Sequence, residues 1–357
     1  MLFFDLIIVV LIFLVYLSWK YRPADHSQFD LPLEPLIKAS SEVSSQHADV
    51  LVRLTQFHSE ATFNVKKNRQ KLEDLFAREI DADITPVDVN GVSAEWVMAP
   101  GADPDQRLLY IHGGAFIIGS ARSHRYITSE ISRTAGVAVL SINYRMQPEF
   151  KTTDCHEDTR LAYSWIFENG PKGKSPSDIV FVAGDSAGGN LGLSIVAWAR
   201  DKQLPKASGV IGLAPLTDAT LSGPSWRANR HSDPVLGPAI GKLLGIPKGI
   251  LSLVSRYTTG APVNDHYISP LLGDLSNLPP ILLQVSRDEM LFSDSQRYAN
   301  KAKAAGGDVT LQVWPTMVHV FQVFGPELPE AAEAFSRIAA FIKLQLSRAQ
   351  APLDNSV

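Results

Sequence analysis

Apolar residues fall along the chain in short blocks separated by longer stretches of helical spacing. The runs 108–111, 137–142, 179–183, 210–213, 281–285 and 309–313 are nearly continuous in Val, Ile and Leu, the pattern of strands buried on both faces. Helical spacing fills most of the gaps, near 122–135, 155–168, 188–201 and 293–305, with a further stretch at 329–346. Strands alternating with helices require a mainly parallel sheet covered by helices on both sides. Upstream, 84–99 alternates and contains Asn90-Gly91, a two-residue turn between two antiparallel strands. Residues 36–80 carry helical periodicity, 100–106 reads as a loop, and 217–259, rich in Gly, Pro and Ser, reads as an insertion above the carboxyl edge of the sheet.

The first residues differ in kind. Positions 6–17 are an unbroken apolar run, with Tyr16, Trp19 and Tyr21 at its end and Lys20 and Arg22 beyond. A helix there would reach about 28 Å, enough for a bilayer core. No basic start or small-residue cleavage site accompanies it, so 1–22 is expected to be an uncleaved single-pass membrane anchor rather than a signal peptide. Basic residues after the span place the bulk of the chain in the cytoplasm. The expected division is 1–22 anchor, 23–83 linker and cap helices, and 84–350 catalytic domain with an insertion at about 217–258.

Composition changes little in this picture. The 357 residues are 45% hydrophobic and 20% charged with a formal charge of −4, an ordinary folded chain with no electrostatic reason to bind nucleic acid. The single cysteine, Cys155, excludes an intrachain disulfide and reads as a small buried thiol. No metal-ligand cluster is visible and no cofactor is called for.

The chemistry gathers around Gly184-Asp185-Ser186-Ala187-Gly188. A serine on a sharp strand-to-helix turn needs glycine two residues to either side, because strand and helix pass too close there for a Cβ. His112-Gly113-Gly114-Ala115 follows the strand ending at 111, and glycines let its backbone N–H groups face a developing oxyanion. A serine needs a base, and the base an orienting acid. In sheets with this turn the order is Ser, then Asp or Glu, then His. Of the nine histidines only His319 lies beyond the strand that supplies the acid. At the end of that strand Asp288 comes first, with Glu289 next and Asp294 a turn into the following helix. Asp288 is preferred because the strand end faces the serine, whereas Asp294 suits a helix start. Asp185 and Asp158 read as structural.

With these residues assembled, the sequence resembles the hormone-sensitive-lipase-like family of α/β-hydrolase esterases. The matching pieces are His112-Gly113-Gly114-Ala115-Phe116, Asn143-Tyr144-Arg145 with Pro148-Glu149, Gly184-Asp185-Ser186-Ala187-Gly188-Gly189, Ser269-Pro270-Leu271, Asp288 and His319, in family order over about 84–346. The resemblance implies an α/β-hydrolase fold with a mainly parallel eight-stranded sheet. It implies a cap built from the segment before 84 and from roughly 217–258. It also implies Ser186 as nucleophile, His319 as base, Asp288 as acid and an oxyanion hole from the N–H groups of Gly113, Gly114 and Ala187. Ala115 stands where a third glycine is usual, and Ser286-Arg287-Asp288-Glu289 differs from the usual Asp-Pro-Leu context. The expected activity is carboxylic ester hydrolysis through an acyl-enzyme on Ser186, declining as His319 protonates near or below about pH 6.5. A lactone hydrolase, amidase or acyltransferase would use the same residues, and a non-catalytic ligand-binding protein is the reading from another class. Phe116, Trp226, Met290 and Leu291 are the expected pocket residues for a small-molecule or lipid ester, and a homodimer is kept open as the assembly.

Overall fold

The computed structural model describes Phe13 and Tyr16 singly and residues 25–31, 37–38, 43–246 and 248–350. Among the described residues nine strands make one sheet: β1 (Ile37–Lys38), β2 (Asp83–Val89), β3 (Val92–Met98), β4 (Asp103–Ile111), β5 (Val137–Ile142), β6 (Val180–Asp185), β7 (Gly209–Leu213), β8 (Ile281–Ser286) and β9 (Val309–Trp314). Their order is β1-β9-β8-β7-β6-β4-β5-β3-β2. Only β2 with β3 and β3 with β5 run antiparallel. Eight of these strands form the sheet expected from the sequence. Two-residue β1 adds a parallel edge against β9 that no apolar run announced.

Local chemistry explains the elements. Asn90 and Gly91 both adopt positive φ, 51° and 96°, which a tight hairpin turn requires, and they set the register Val89 opposite Val92. Every residue of β5, β6 and β8 is buried, so helices must cover both faces. Helix Arg125–Ala135 packs with helix Pro329–Gln350, and helix Thr152–Glu168 with helix Ser186–Asp201. Gly136 stops the first of these in a left-handed conformation, its N–H donating to Ser132 O at 2.8 Å. Cys155 is free and buried, as expected.

Three expectations shift. The helical stretch 36–80 resolves into helices His47–Ser59 and Val65–Phe76, the second capped by Asn64, whose Oδ1 accepts the Lys67 N–H at 3.1 Å. The loop expected at 100–106 is partly strand: Asp103 pairs with Val137 before an irregularity lets β4 resume at Arg107. The membrane placement does not stand. Most of the segment 1–22 lies outside the described residues, and among the described residues no helix is long and apolar enough to cross a membrane.

Loops leaving the carboxyl ends of β4, β6, β8 and β9 meet on one side of the sheet. The two N-terminal helices and the insertion, with helices Ser225–Ala228, Leu236–Ile240 and Lys248–Thr259, follow β1 and β7 respectively. That edge is where open parallel sheets place their sites.

Candidate active site

Strand β6 ends at Asp185 and a helix begins at once with Ser186, whose φ is +52°. A non-glycine residue held there is strained, and the surrounding close packing enforces it. A Cβ on Gly184 would overlap the Gly188 carbonyl, and one on Gly188 would overlap the Ile111 carbonyl. Both glycines are therefore fixed by the close approach the serine turn demands.

His319 lies between β9 and the short helical turn Phe321–Phe324, and it is 5% exposed. Its Nε2 is 2.9 Å from Ser186 Oγ. Its Nδ1 is 3.2 Å from Oε2 of Glu289, a residue only 1% exposed. With Nδ1–H donated to Glu289, Nε2 is free to accept the serine proton. Burial raises the Glu289 pKa, to about 7, against the pull of the His319 hydrogen bond and charge. Burial would by itself lower His319, but the Glu289 hydrogen bond and charge outweigh it and raise the imidazole above its ordinary value.

Asp288 is not against the histidine. It is half-buried on the outer arc of the turn after β8, its N–H donating to Ser286 Oγ at 3.3 Å and its carbonyl accepting from Ser232 Oγ at 2.9 Å. The turn needs one more residue before a side chain points beneath the imidazole. A signal was available: Glu289 abuts the apolar Met290-Leu291, whereas Asp288 follows the charged Arg287. Two further contacts align these loops. Ser286 Oγ also accepts the Met317 N–H at 3.0 Å, and Gln322 Nε2 donates to Gln284 Oε1 at 2.9 Å, so the histidine loop is tied twice to β8 and its turn.

The Gly113 N–H is committed elsewhere: it donates to Asp185 Oδ1 at 3.0 Å, and a Cβ on Gly113 would overlap that carboxylate. Gly113 still lies level with the serine strand, where Ile111 pairs with Gly184, one residue too early to face the cavity. Gly114, Ala115 and Ala187 line the cavity beside Ser186 instead. Gly114 and Ala115 both have positive φ, 111° and 56°, which turns their peptides relative to the strand. Ala187 is in the first helical turn, where N–H groups have no helical acceptor.

Asp185 and Asp158, expected to be structural, are each engaged by groups other than His319 Nδ1. Asp158 accepts the Arg145 N–H at 2.7 Å and the Arg145 guanidinium. Asp185 also accepts from Tyr110 Oη at 2.7 Å and lies 3.4 Å from His124 Nε2. His124, which the sequence did not single out, is buried and lines the cavity. Burial alone would lower its pKa, but the Asp185 charge raises it, and His124 in turn holds Asp185 below the usual carboxylate range against burial. His112 is no rival base. Burial lowers it to about 3, its ring stacks on Tyr144 at 4.4 Å, and its carbonyl accepts the Tyr144 hydroxyl at 2.8 Å.

Ser186 opens into a cavity of about 340 Å³. Leu54, Phe57, Leu75 and Phe76 of the N-terminal helices form one wall, and Trp226, Leu236 and Ile240 of the insertion form another. Leu291, Val320 and Phe324 complete its apolar lining beside the histidine. Of the expected pocket residues, Trp226 and Leu291 are in this lining. Phe116 and Met290 are not: Phe116 packs against the main core, and Met290 is fully buried in a cluster with Trp226, Leu236 and Leu291.

A model of the α/β-hydrolase fold family matches residues 108–323. An acetyl-hydrolase of Streptomyces hygroscopicus is 34% identical over 72% of this chain and 81% of its own length. An esterase of Acinetobacter venetianus is 33% identical over 75% of this chain and 84% of its own. Among solved structures, an esterase from the bacterial hormone-sensitive lipase family superposes with a TM-score of 0.75 at 34% identity, over 85% of this chain and 99% of that one. An esterase/lipase from an uncultured bacterium does so at 0.74 and 33%, over 85% and 99%. The chain belongs to the α/β-hydrolase fold family, with the esterases related to hormone-sensitive lipase, and is a serine carboxylic ester hydrolase.

Proposed function

We propose that Ser186 is the nucleophile, His319 its general base and Glu289 the acid that orients and charges the imidazole, with an oxyanion hole formed by the N–H groups of Gly114, Ala115 and Ala187. The observation that carries this reading is the line Ser186 Oγ, His319 Nε2, His319 Nδ1, Glu289 Oε2, spanned by contacts of 2.9 and 3.2 Å. His319 takes the serine proton as Oγ attacks the ester carbonyl, and the developing negative charge falls on oxygen beside the three N–H groups. The imidazolium, offset by Glu289, then protonates the departing alcohol and leaves an acyl-enzyme. A water activated by His319 releases the acid and restores the serine.

The apolar cavity supports an ester with an apolar acyl or alcohol group, and contains little to recognise a charged one. The helices of 43–83 and the insertion of about 217–258 act as a cap, since residues of both form the cavity walls. Turnover of a p-nitrophenyl ester series from acetate to decanoate tests the reading. Wild type is expected to hydrolyse the series with a chain-length optimum, and Ser186→Ala to lose turnover by about 10⁴-fold or more. Equal turnover by Ser186→Ala would end it.

A further inference from the structure

The carbonyls of the short turn carrying Glu289 are held by the insertion, while its Arg287 N–H donates to the Trp314 carbonyl at 2.8 Å. Asn229 Nδ2 donates to the carbonyls of Arg287 and Glu289 at 2.8 and 2.9 Å. Ser232 Oγ donates to the Asp288 carbonyl at 2.9 Å, and Ser225 Oγ to that of Met290 at 2.6 Å. Asp233 Oδ2 accepts the Met290 N–H at 2.8 Å. Every residue from 287 to 290 is thus gripped through its backbone by a segment only nine residues long.

Asp233 differs from the other three. It is 2% exposed, and its second oxygen accepts the N–H groups of Val235 and Leu236 at 2.9 and 2.8 Å. Val235 and Leu236 line the cavity on the far side of that segment. One buried carboxylate therefore joins the peptide after Glu289 to the peptides that shape the cavity wall. A carboxylate accepting three N–H bonds in a buried site sets backbone geometry more firmly than a neutral acceptor would.

We propose that Asp233 is a positioning residue: it fixes the turn bearing Glu289 and couples the shape of the cavity wall to the alignment of Glu289 with His319. The inference rests on Glu289 being the acid. It also has an electrostatic consequence. The carboxylates facing His319 are Glu289 from the turn, Asp233 from the insertion and Asp185 from the serine turn, and all three raise the imidazole. Asp233 raises Glu289 as well, and His58 of the N-terminal helix is the imidazole that feels Asp233 from the other side. Removing one negative charge makes both protons of the His319–Glu289 pair easier to lose, so the ionisation that generates active enzyme moves to lower pH.

The test compares the full chain carrying Asp233→Asn, Asn229→Ala or Glu289→Gln with wild type, using p-nitrophenyl butyrate from pH 4.5 to 9. Asp233→Asn is expected to lower kcat by about 10-fold or more with KM changed less than about threefold. Its acid limb is expected to move down by about half a pH unit or more. Asn229→Ala removes grip without charge, and is expected to lower kcat and leave the limb in place. The limb position does not depend on how much of a preparation is folded. A limb that stays at the wild-type pH in Asp233→Asn overturns the proposal whatever happens to kcat. Full activity in Glu289→Gln overturns the assignment of the acid and this proposal with it. An inactive Glu289→Gln beside an unmoved limb in Asp233→Asn overturns this proposal alone.

Discussion

The carboxylate of Asp185 accepts the Gly113 N–H at 3.0 Å, joining the residue before the nucleophile to the loop that faces it. This bond anchors the loop immediately before Gly114 and Ala115, whose N–H groups are the proposed oxyanion donors. Asp185→Ala is expected to reduce kcat by about 100-fold with little change in KM, because a mis-set oxyanion hole is felt mainly in the transition state. Asp185→Asn keeps an acceptor oxygen and is expected to lose less. Steady-state kinetics on one short-chain ester checks both, and equal losses in kcat and 1/KM would count against this role.

Glu289 and Asp288 are neighbours in sequence but not in chemistry. Glu289→Gln offers an amide that cannot offset an imidazolium and is expected to lower kcat by about 10³- to 10⁴-fold. Asp288→Asn is expected to stay within about twofold of wild type. The opposite ranking in kcat would restore Asp288 as the acid.

The pH dependence follows from the direction of the shifts. The proposed base must be neutral to accept the serine proton, and Glu289 raises the His319 imidazole above the ordinary 6.5. A raised pKa means the base is lost earlier on acidification, so the acid limb of kcat/KM is expected to have its midpoint above 6.5, rather than near or below it as the sequence alone suggested. In residual activity of Glu289→Gln the midpoint is expected to fall. A wild-type midpoint at or below 6.5 contradicts the coupling.

Ser286 Oγ serves two N–H groups, of Met317 and Asp288, from a fully buried position. Ser286→Ala leaves both without that acceptor and is expected to destabilise the fold by about 1–3 kcal/mol in urea unfolding. It is also expected to lower kcat, since the same hydroxyl holds the histidine loop to the acid turn. Unchanged stability and kcat would show that the hydroxyl holds nothing.

The sheet was legible because strands such as Val137–Ile142 and Ile281–Ser286 are buried throughout and announce themselves as apolar runs. Ser186 and His319, which the fold brings to 2.9 Å of each other, were marked by a different signal: the glycines at 184 and 188 betray a steric squeeze, and chain order leaves one histidine. In the proposed catalytic set Glu289 stands one position after the expected Asp288, and Ala115 two positions after the expected Gly113. Each follows the end of a strand, where the turn and not the motif decides which way a side chain or N–H points. The same rotation separates Leu291, which lines the cavity, from Met290, which packs behind it. His124 and Asp233 escaped notice because their partners, Asp185 and Met290, are distant in sequence and only the fold brings them near. Strand β1 is too short to carry a pattern.

Reaction with a p-nitrophenyl alkylphosphonate tests the central claim most directly, because the adduct cannot turn over. Wild type is expected to release one equivalent of p-nitrophenol and to carry the phosphonyl group on the peptide containing Ser186. In His319→Ala the labelling rate is expected to fall by about 10³-fold or more. An adduct on any other residue, or labelling of His319→Ala at the wild-type rate, would contradict a serine activated by that imidazole.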